Sequence, residues 1–229
     1  MLYKTKGIVL GFIRYRDTSI IVRIYTETFG LRSYLVNGVR SAKNKNNKVA
    51  LFQPFTLLDL VVYNKPSTDL NYISESKIYQ PFHSIPFDIH KTTICLFLSE
   101  VLTKVLRNEQ DANIDIFDFL LNSILVLENL EKSFENFHLQ FLFRLSSLLG
   151  FFSNEADEIG KQLRQAGYLF DHEQYIKEIG ALIQADYGSK IQMNHQTRNE
   201  ILSAMIKFYQ LHSEGLGEIK SLTILREIY

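Results

Sequence analysis

The chain has 229 residues, of which 46% are hydrophobic and 22% charged, a balance that excludes a disordered protein and allows one large or two small cored domains. Its formal net charge is zero, yet residues 1–80 carry 12 basic against five acidic side chains, and residues 81–229 carry 13 against 20. A +7 segment joined to a −7 segment predicts a polyanion-binding module fused to a part that does not bind polyanions; the alternative is two halves that attract each other.

The first 80 residues read as β-structure. Gly7–Leu10, Ile20–Tyr25, Leu31–Val36, Phe55–Tyr63 and Leu70–Ile78 are five β-branched or aromatic runs. Turn chemistry separates them at Arg16-Asp17-Thr18, Thr28-Phe29-Gly30, Asn37-Gly38 and Asn64-Lys65-Pro66-Ser67. A long turn is expected over Gly11–Ser19, a tight hairpin at Thr28-Phe29-Gly30, and a basic connection over Arg40–Gln53. Five short strands in this arrangement predict a small OB-type barrel that closes its own edges.

All four prolines (Pro54, Pro66, Pro81, Pro86) precede residue 87. Residues 81–86 are therefore expected to be a linker, and residues 87–229 an α-helical domain. Apolar residues recur there at spacings of three and four: Ile94 to Val105, Ile116 to Leu127, and Phe134 to Leu149, with Gly150 placed as a C-terminal cap. Thr197-Arg198-Asn199-Glu200 reads as a capping box opening a later helix. Residues 151–194 are expected to form short helices and loops. The fold class is thus α+β, with an N-terminal five-stranded OB-type barrel over 1–80 followed by helices.

The single cysteine, Cys95, lies in an apolar run, excludes an internal disulfide and is expected to pack as a small hydrophobe. The N-terminus has no secretory pattern, and the longest apolar run, Ile116 to Leu127, is too short to span a bilayer. A soluble cytoplasmic protein without membrane association is expected.

The basic cluster is the main functional signal: Arg14 and Arg16 in the first turn, Arg23 and Arg32 on strands two and three, and Arg40, Lys43, Lys45 and Lys48 in the second connection. If Ile20, Val22 and Ile24 fill the barrel, then Arg23 and Tyr25 face out. Cations beside exposed rings are what sequence-tolerant single-strand binding requires. Tyr34, beside Arg32, is equally well read as a core residue. No P-loop, paired catalytic carboxylates or nucleophile-base pair is visible, so no enzyme activity and no cofactor are expected. The six histidines lack metal-ligand spacing, so no metal is expected. The segment Phe134 to Arg144 reads as a core-facing helix, or else as a groove for a partner peptide with Phe141 in the slot and Arg144, Lys104 or Arg107 supplying the cation.

Thr5-Lys6-Gly7-Ile8-Val9-Leu10, Tyr15-Arg16-Asp17-Thr18-Ser19, Tyr25-Thr26-Glu27, Phe29-Gly30, Asn37-Gly38-Val39-Arg40, Gln53-Pro54-Phe55 and Lys220-Ser221-Leu222 follow one another at the distances seen in the bacterial RecO family. The resemblance covers essentially the whole chain. It implies an OB domain that binds single- and double-stranded DNA, and a nucleoid-associated recombination mediator. Such a mediator anneals strands and helps load RecA, with RecR and the C-terminal tail of single-stranded-DNA-binding protein as partners. Arg40 carries over best as a DNA contact, whereas Asn37 stands where the family is usually basic. Many family members hold zinc with four cysteines near residues 151–194; this chain has none there. An OB-fold RNA-binding protein is the alternative.

Overall fold

A computed structural model of the chain describes residues 1–39, 48–65, 68–108 and 111–229, with Lys48 and Asn108 described by their backbone alone. The basic positions Arg40, Lys43 and Lys45, and the side chain of Lys48, lie outside the described residues.

Five strands close a barrel: β1 (Leu2–Tyr15), β2 (Ser19–Thr26), β3 (Gly30–Val36), β4 (Leu57–Tyr63) and β5 (Leu70–Gln80), in the order β1-β2-β3-β5-β4. β1 pairs antiparallel with both β2 and β4, and β3 meets β5 in parallel over Ser33–Leu35 and Leu70–Tyr72. A bulge between Val9 and Gly11 bends β1 and lets one strand serve both sides of the barrel. At Gly7 a Cβ would stand 2.6 Å from Ile24 Cγ2 and 2.7 Å from a Leu60 methyl, so only glycine fits where β1 crosses these two side chains.

β1 runs further than expected. It continues to Tyr15, so the long turn predicted over Gly11–Ser19 shrinks to Arg16-Asp17-Thr18, and Arg14 lies on the strand. The hairpin at residues 27–29 forms as expected: Thr26 Oγ1 donates to the Gly30 carbonyl at 3.0 Å and accepts from Phe29 N at 3.1 Å.

The alternation in β2 is the expected one, with Ile20, Val22 and Ile24 filling the barrel beside Val9, Tyr34, Phe52, Leu58, Leu60 and Val62. The other faces of β1 and β2 are covered as well. Ile8, Leu10, Tyr25, Phe55 and Leu57 belong to the core of the helical half. This is why Gly7–Leu10 is an unbroken apolar run: residues there are buried whichever way they point. Phe55 has φ 66, a left-handed conformation that costs a non-glycine residue about 1 kcal/mol. Its ring is 1% exposed in the barrel–helix seam, and its N–H donates to the Val9 carbonyl at 2.7 Å.

Seven α-helices follow among the described residues: α1 (Ile89–Val105), α2 (Ile114–Asn129), α3 (Phe137–Leu148), α4 (Glu158–Gln165), α5 (His172–Gln184), α6 (His195–His212) and α7 (Ser221–Ile228). The connection from the barrel is pinned by Glu128. Its carboxylate accepts the backbone N–H groups of His83, Ser84 and Ile85, and these bonds outweigh burial to hold its pKa below the usual carboxylate range. Lys91, 1% exposed, donates from the same place to Ser84 Oγ at 2.7 Å and to the Glu128 carbonyl at 3.0 Å.

α3 is the central helix, with every residue from Phe137 to Phe143 buried. It begins at Phe137, after a turn closed by Phe137 N on the Phe134 carbonyl, and not at Phe134. Gly150 caps it with φ 81, with Gly150 N on the Ser147 carbonyl and Phe151 N on the Ser146 carbonyl. The expected capping box at Thr197 does not form. α6 starts earlier, because Asn194 Oδ1 accepts from Thr197 N at 2.8 Å, leaving Arg198 to bond Asn136 Oδ1 and the Tyr229 carbonyl. No helix among the described residues is long and apolar enough to cross a membrane.

Candidate nucleic-acid interface

The rings expected to stack beside the strand cations are not available. Tyr25 does face out of the barrel, but α1 and the residues packed with it cover that face, and Tyr25 is fully buried. Tyr34 points inward and is also fully buried, with desolvation pushing its hydroxyl up to about 12. The core reading of Tyr34 is therefore the one the structure supports.

The cations fare differently. Arg23 on β2 is register partner to Gly11 of β1 and Ser33 of β3. A Cβ at Gly11 would meet nothing within 4 Å, so the sheet beside Arg23 is open. Arg32 is half-buried on β3, with Nη1 donating to its own strand at the Leu31 carbonyl, 3.2 Å. Both line a groove of 660 Å³ between the barrel and the end of α1. The opposite wall brings Thr103, Lys104 and Arg107, and Thr68 and Asp69 lie at one margin. The structure thus joins two cations expected to bind nucleic acid with two expected to bind a partner.

The four are not equivalent. Lys104 forms an ion pair with Glu100 Oε1 at 3.3 Å and donates to the Glu218 carbonyl, so its charge is locally balanced. Glu100 also accepts from Lys220 N, Ser221 N and Ser221 Oγ, which ties α7 to α1; these bonds hold its pKa low against the upward push of burial. Arg23, Arg32 and Arg107 form no ion pair among the described residues. Asp69 is the one carboxylate lining the groove among the described residues. Arg14 and Arg16 sit at the β1–β2 hairpin end, exposed, with Arg16 over the Tyr15 ring at 5.2 Å; neither lines the groove.

Of the two readings of the Phe134–Arg144 segment, the core-facing helix is the one that the burial of Phe141 fits. Phe141 is 1% exposed and packs on Phe119 at 4.9 Å and Phe137 at 6.2 Å, because α3 is surrounded on all sides. Arg144 is no rim cation either: its guanidinium lies 4.0 Å from the Tyr187 ring and donates to the Ala185 carbonyl at 2.8 Å.

Exposed rings not foreseen in the sequence lie on β4 and β5. Tyr63 and Tyr72 are register partners on β4 and β5, and Tyr79 lies under Lys6 Nζ at 4.5 Å. The signal was the inward set Leu58, Leu60 and Val62, which turns Tyr63 outward. That face carries Lys4, Lys6 and Lys77 against Glu27, Asp59 and Glu75, so it is neutral and less suited to a polyanion than the groove. Among the described residues no three His, Cys, Asp or Glu side chains stand close enough to hold a metal ion.

Residues 1–82 match the family described as recombination protein O N terminal, and residues 86–180 match recombination protein O C terminal. Over the full length of both chains, the sequence is 39% identical to a protein of Bacteroides fragilis and 35% identical to one of Azobacteroides pseudotrichonymphae. A relative from Flavobacterium psychrophilum is 32% identical, again over the whole of both chains. Each of the three is called DNA repair protein RecO.

Proposed function

The chain belongs to the RecO family of DNA repair and recombination proteins, and we propose that it binds DNA through the cationic groove between its barrel and α1. The observation that carries this reading is that Arg23 of β2 and Arg107 of the segment after α1 line one groove, with Arg32 of β3, register partner of the inward Ile24, beside them. Each is a guanidinium without a carboxylate partner among the described residues, and a guanidinium is the group that best matches a phosphate oxygen pair. Phosphate contacts of this kind give affinity without sequence preference, as a repair protein acting at arbitrary sites requires. Arg40, Lys43, Lys45 and Lys48, between β3 and β4 in the sequence, are proposed as further DNA contacts.

The activity proposed is non-enzymatic: holding one strand so that a complementary strand can pair with it, and helping RecA replace single-stranded-DNA-binding protein in a cytoplasmic, nucleoid-associated setting. RecR and the acidic tail of single-stranded-DNA-binding protein are the proposed partners. Phe141 is buried, Arg144 is half-buried against Tyr187 and Lys104 is paired with Glu100, so Arg107 is the cation best placed to meet such a tail. DNA is favoured over RNA by family membership. The test is annealing of complementary strands coated with single-stranded-DNA-binding protein. Wild type should accelerate it, and Arg23→Glu/Arg107→Glu should remove most of the acceleration. Undiminished annealing by that variant would place the contact elsewhere.

A further inference from the structure

We propose that the barrel–helix seam also holds an unstacked nucleobase, in an apolar cavity continuous with the phosphate groove. The inference rests on the DNA-contact reading above and gives it a substrate preference: single strands over duplex. Arg23, Thr103 and Lys104 line both the cationic groove and a second cavity of 680 Å³. The two are therefore successive stretches of one seam.

The second stretch changes character. Ile13 and Ile21 are register partners on β1 and β2 and form one wall; Leu96 of α1 forms the other, with Pro54 between. Ile13 is 55% exposed and Leu96 39% exposed, so both present apolar surface to the cavity. Gly11 leaves the wall without a side chain where it approaches Arg23. Glu100 is the one carboxylate lining this cavity among the described residues, and it is occupied by Lys104, Lys220 N and Ser221. Lys220 and Arg23 lie at the margin.

An apolar slot beside a row of guanidinium groups suits a base next to its own phosphate. Any base offers a flat apolar face, so such a slot is tolerant of sequence. In a duplex the bases are stacked and paired, and reaching the slot costs a few kcal/mol per base. Single strands meet no such cost. Strands held in this way expose their other bases for pairing, which links the slot to annealing.

The experiment compares binding of the full chain to an oligothymidylate of about 15 nucleotides and to an equally long strand of abasic sites, by fluorescence anisotropy across a salt series. The two strands carry the same charge. Base insertion predicts that the abasic strand binds about tenfold more weakly with the same salt slope, and that Ile13→Ala/Leu96→Ala makes the two strands bind alike. Equal binding by the wild type overturns the proposal and leaves the cavity for a different occupant, such as an apolar peptide. A preference that survives in the double variant also overturns it, because the base then sits elsewhere. Failure of the wild type to bind either strand refutes the underlying DNA-contact reading.

Discussion

His138 is the sharpest probe of the helical core. It sits in the first turn of α3, is fully buried, and neither ring nitrogen has a hydrogen-bond partner among the described residues. Phe97 meets its ring edge-on at 6.2 Å and Tyr229 lies 5.7 Å away. Burial, with a smaller contribution from the Arg198 cation, lowers its pKa from 6.5 to about 3. The folded state therefore requires the neutral ring, while the unfolded chain takes up a proton below pH 6.5. The stability contribution is complete above pH 6.5 and declines as pH falls from there towards 3. Across that whole window it amounts to roughly 5 kcal/mol, and between pH 8 and pH 5 to about 2 kcal/mol. Leucine has a similar size and no proton to gain. His138→Leu should stay within about 1.5 kcal/mol of wild type at pH 8, and gain about 2 kcal/mol relative to it by pH 5. Urea unfolding of both proteins at the two pH values measures this, and groups common to both cancel in the difference. A difference that does not change with pH would show that the ring is already partnered or reached by solvent, and would refute the reasoning.

Three further outcomes concern other parts of the fold. Glu128→Ala strands three backbone N–H groups at the barrel–helix connection and removes the carboxylate charge near Lys91, whose hydrogen bonds to Ser84 Oγ and the residue-128 carbonyl remain; thermal unfolding should show a loss of about 2–4 kcal/mol. Gly7→Ala forces a methyl group to within 2.6 Å of Ile24 and should cost about 1–3 kcal/mol by the same measurement, whereas Gly11→Ala meets no such obstacle and should be limited to its backbone cost. Chelator should leave the melting temperature unchanged, since residues 151–194 contain no cysteine and His172 is their one histidine. One tightly held zinc per chain by elemental analysis would contradict that.

The barrel was legible because β2 alternates cleanly: Ile20, Val22 and Ile24 inside, Arg23 outside. The fate of Tyr25 was not, because alternation says which way a side chain points and not what covers that face. The hint was the unbroken run Gly7–Leu10 on the neighbouring strand, which an outer face exposed to water would not tolerate. Phe141 was misplaced for a related reason. Phe-His-Leu-Gln-Phe-Leu-Phe has no charged face, and a helix apolar all round is a central one. The start of α6 was expected at Thr197, whereas Asn194, three residues earlier, is the residue that caps it. The groove itself was half visible. Arg23 and Arg32 stood out as strand cations, but nothing in the spacing brings Arg107, from beyond the end of α1, to the same wall.

DNA held in the barrel–α1 groove should leave its mark on the salt dependence of single-strand binding. Each phosphate left without its guanidinium should reduce the slope of log affinity against log salt by about 0.7, so Arg23→Ala/Arg107→Ala should flatten it by about 1.4 and weaken binding to all sequences alike. Folding should be unaffected, because both side chains are exposed and form no ion pair among the described residues. A double variant with the wild-type slope and affinity would contradict the account and place the DNA on another face.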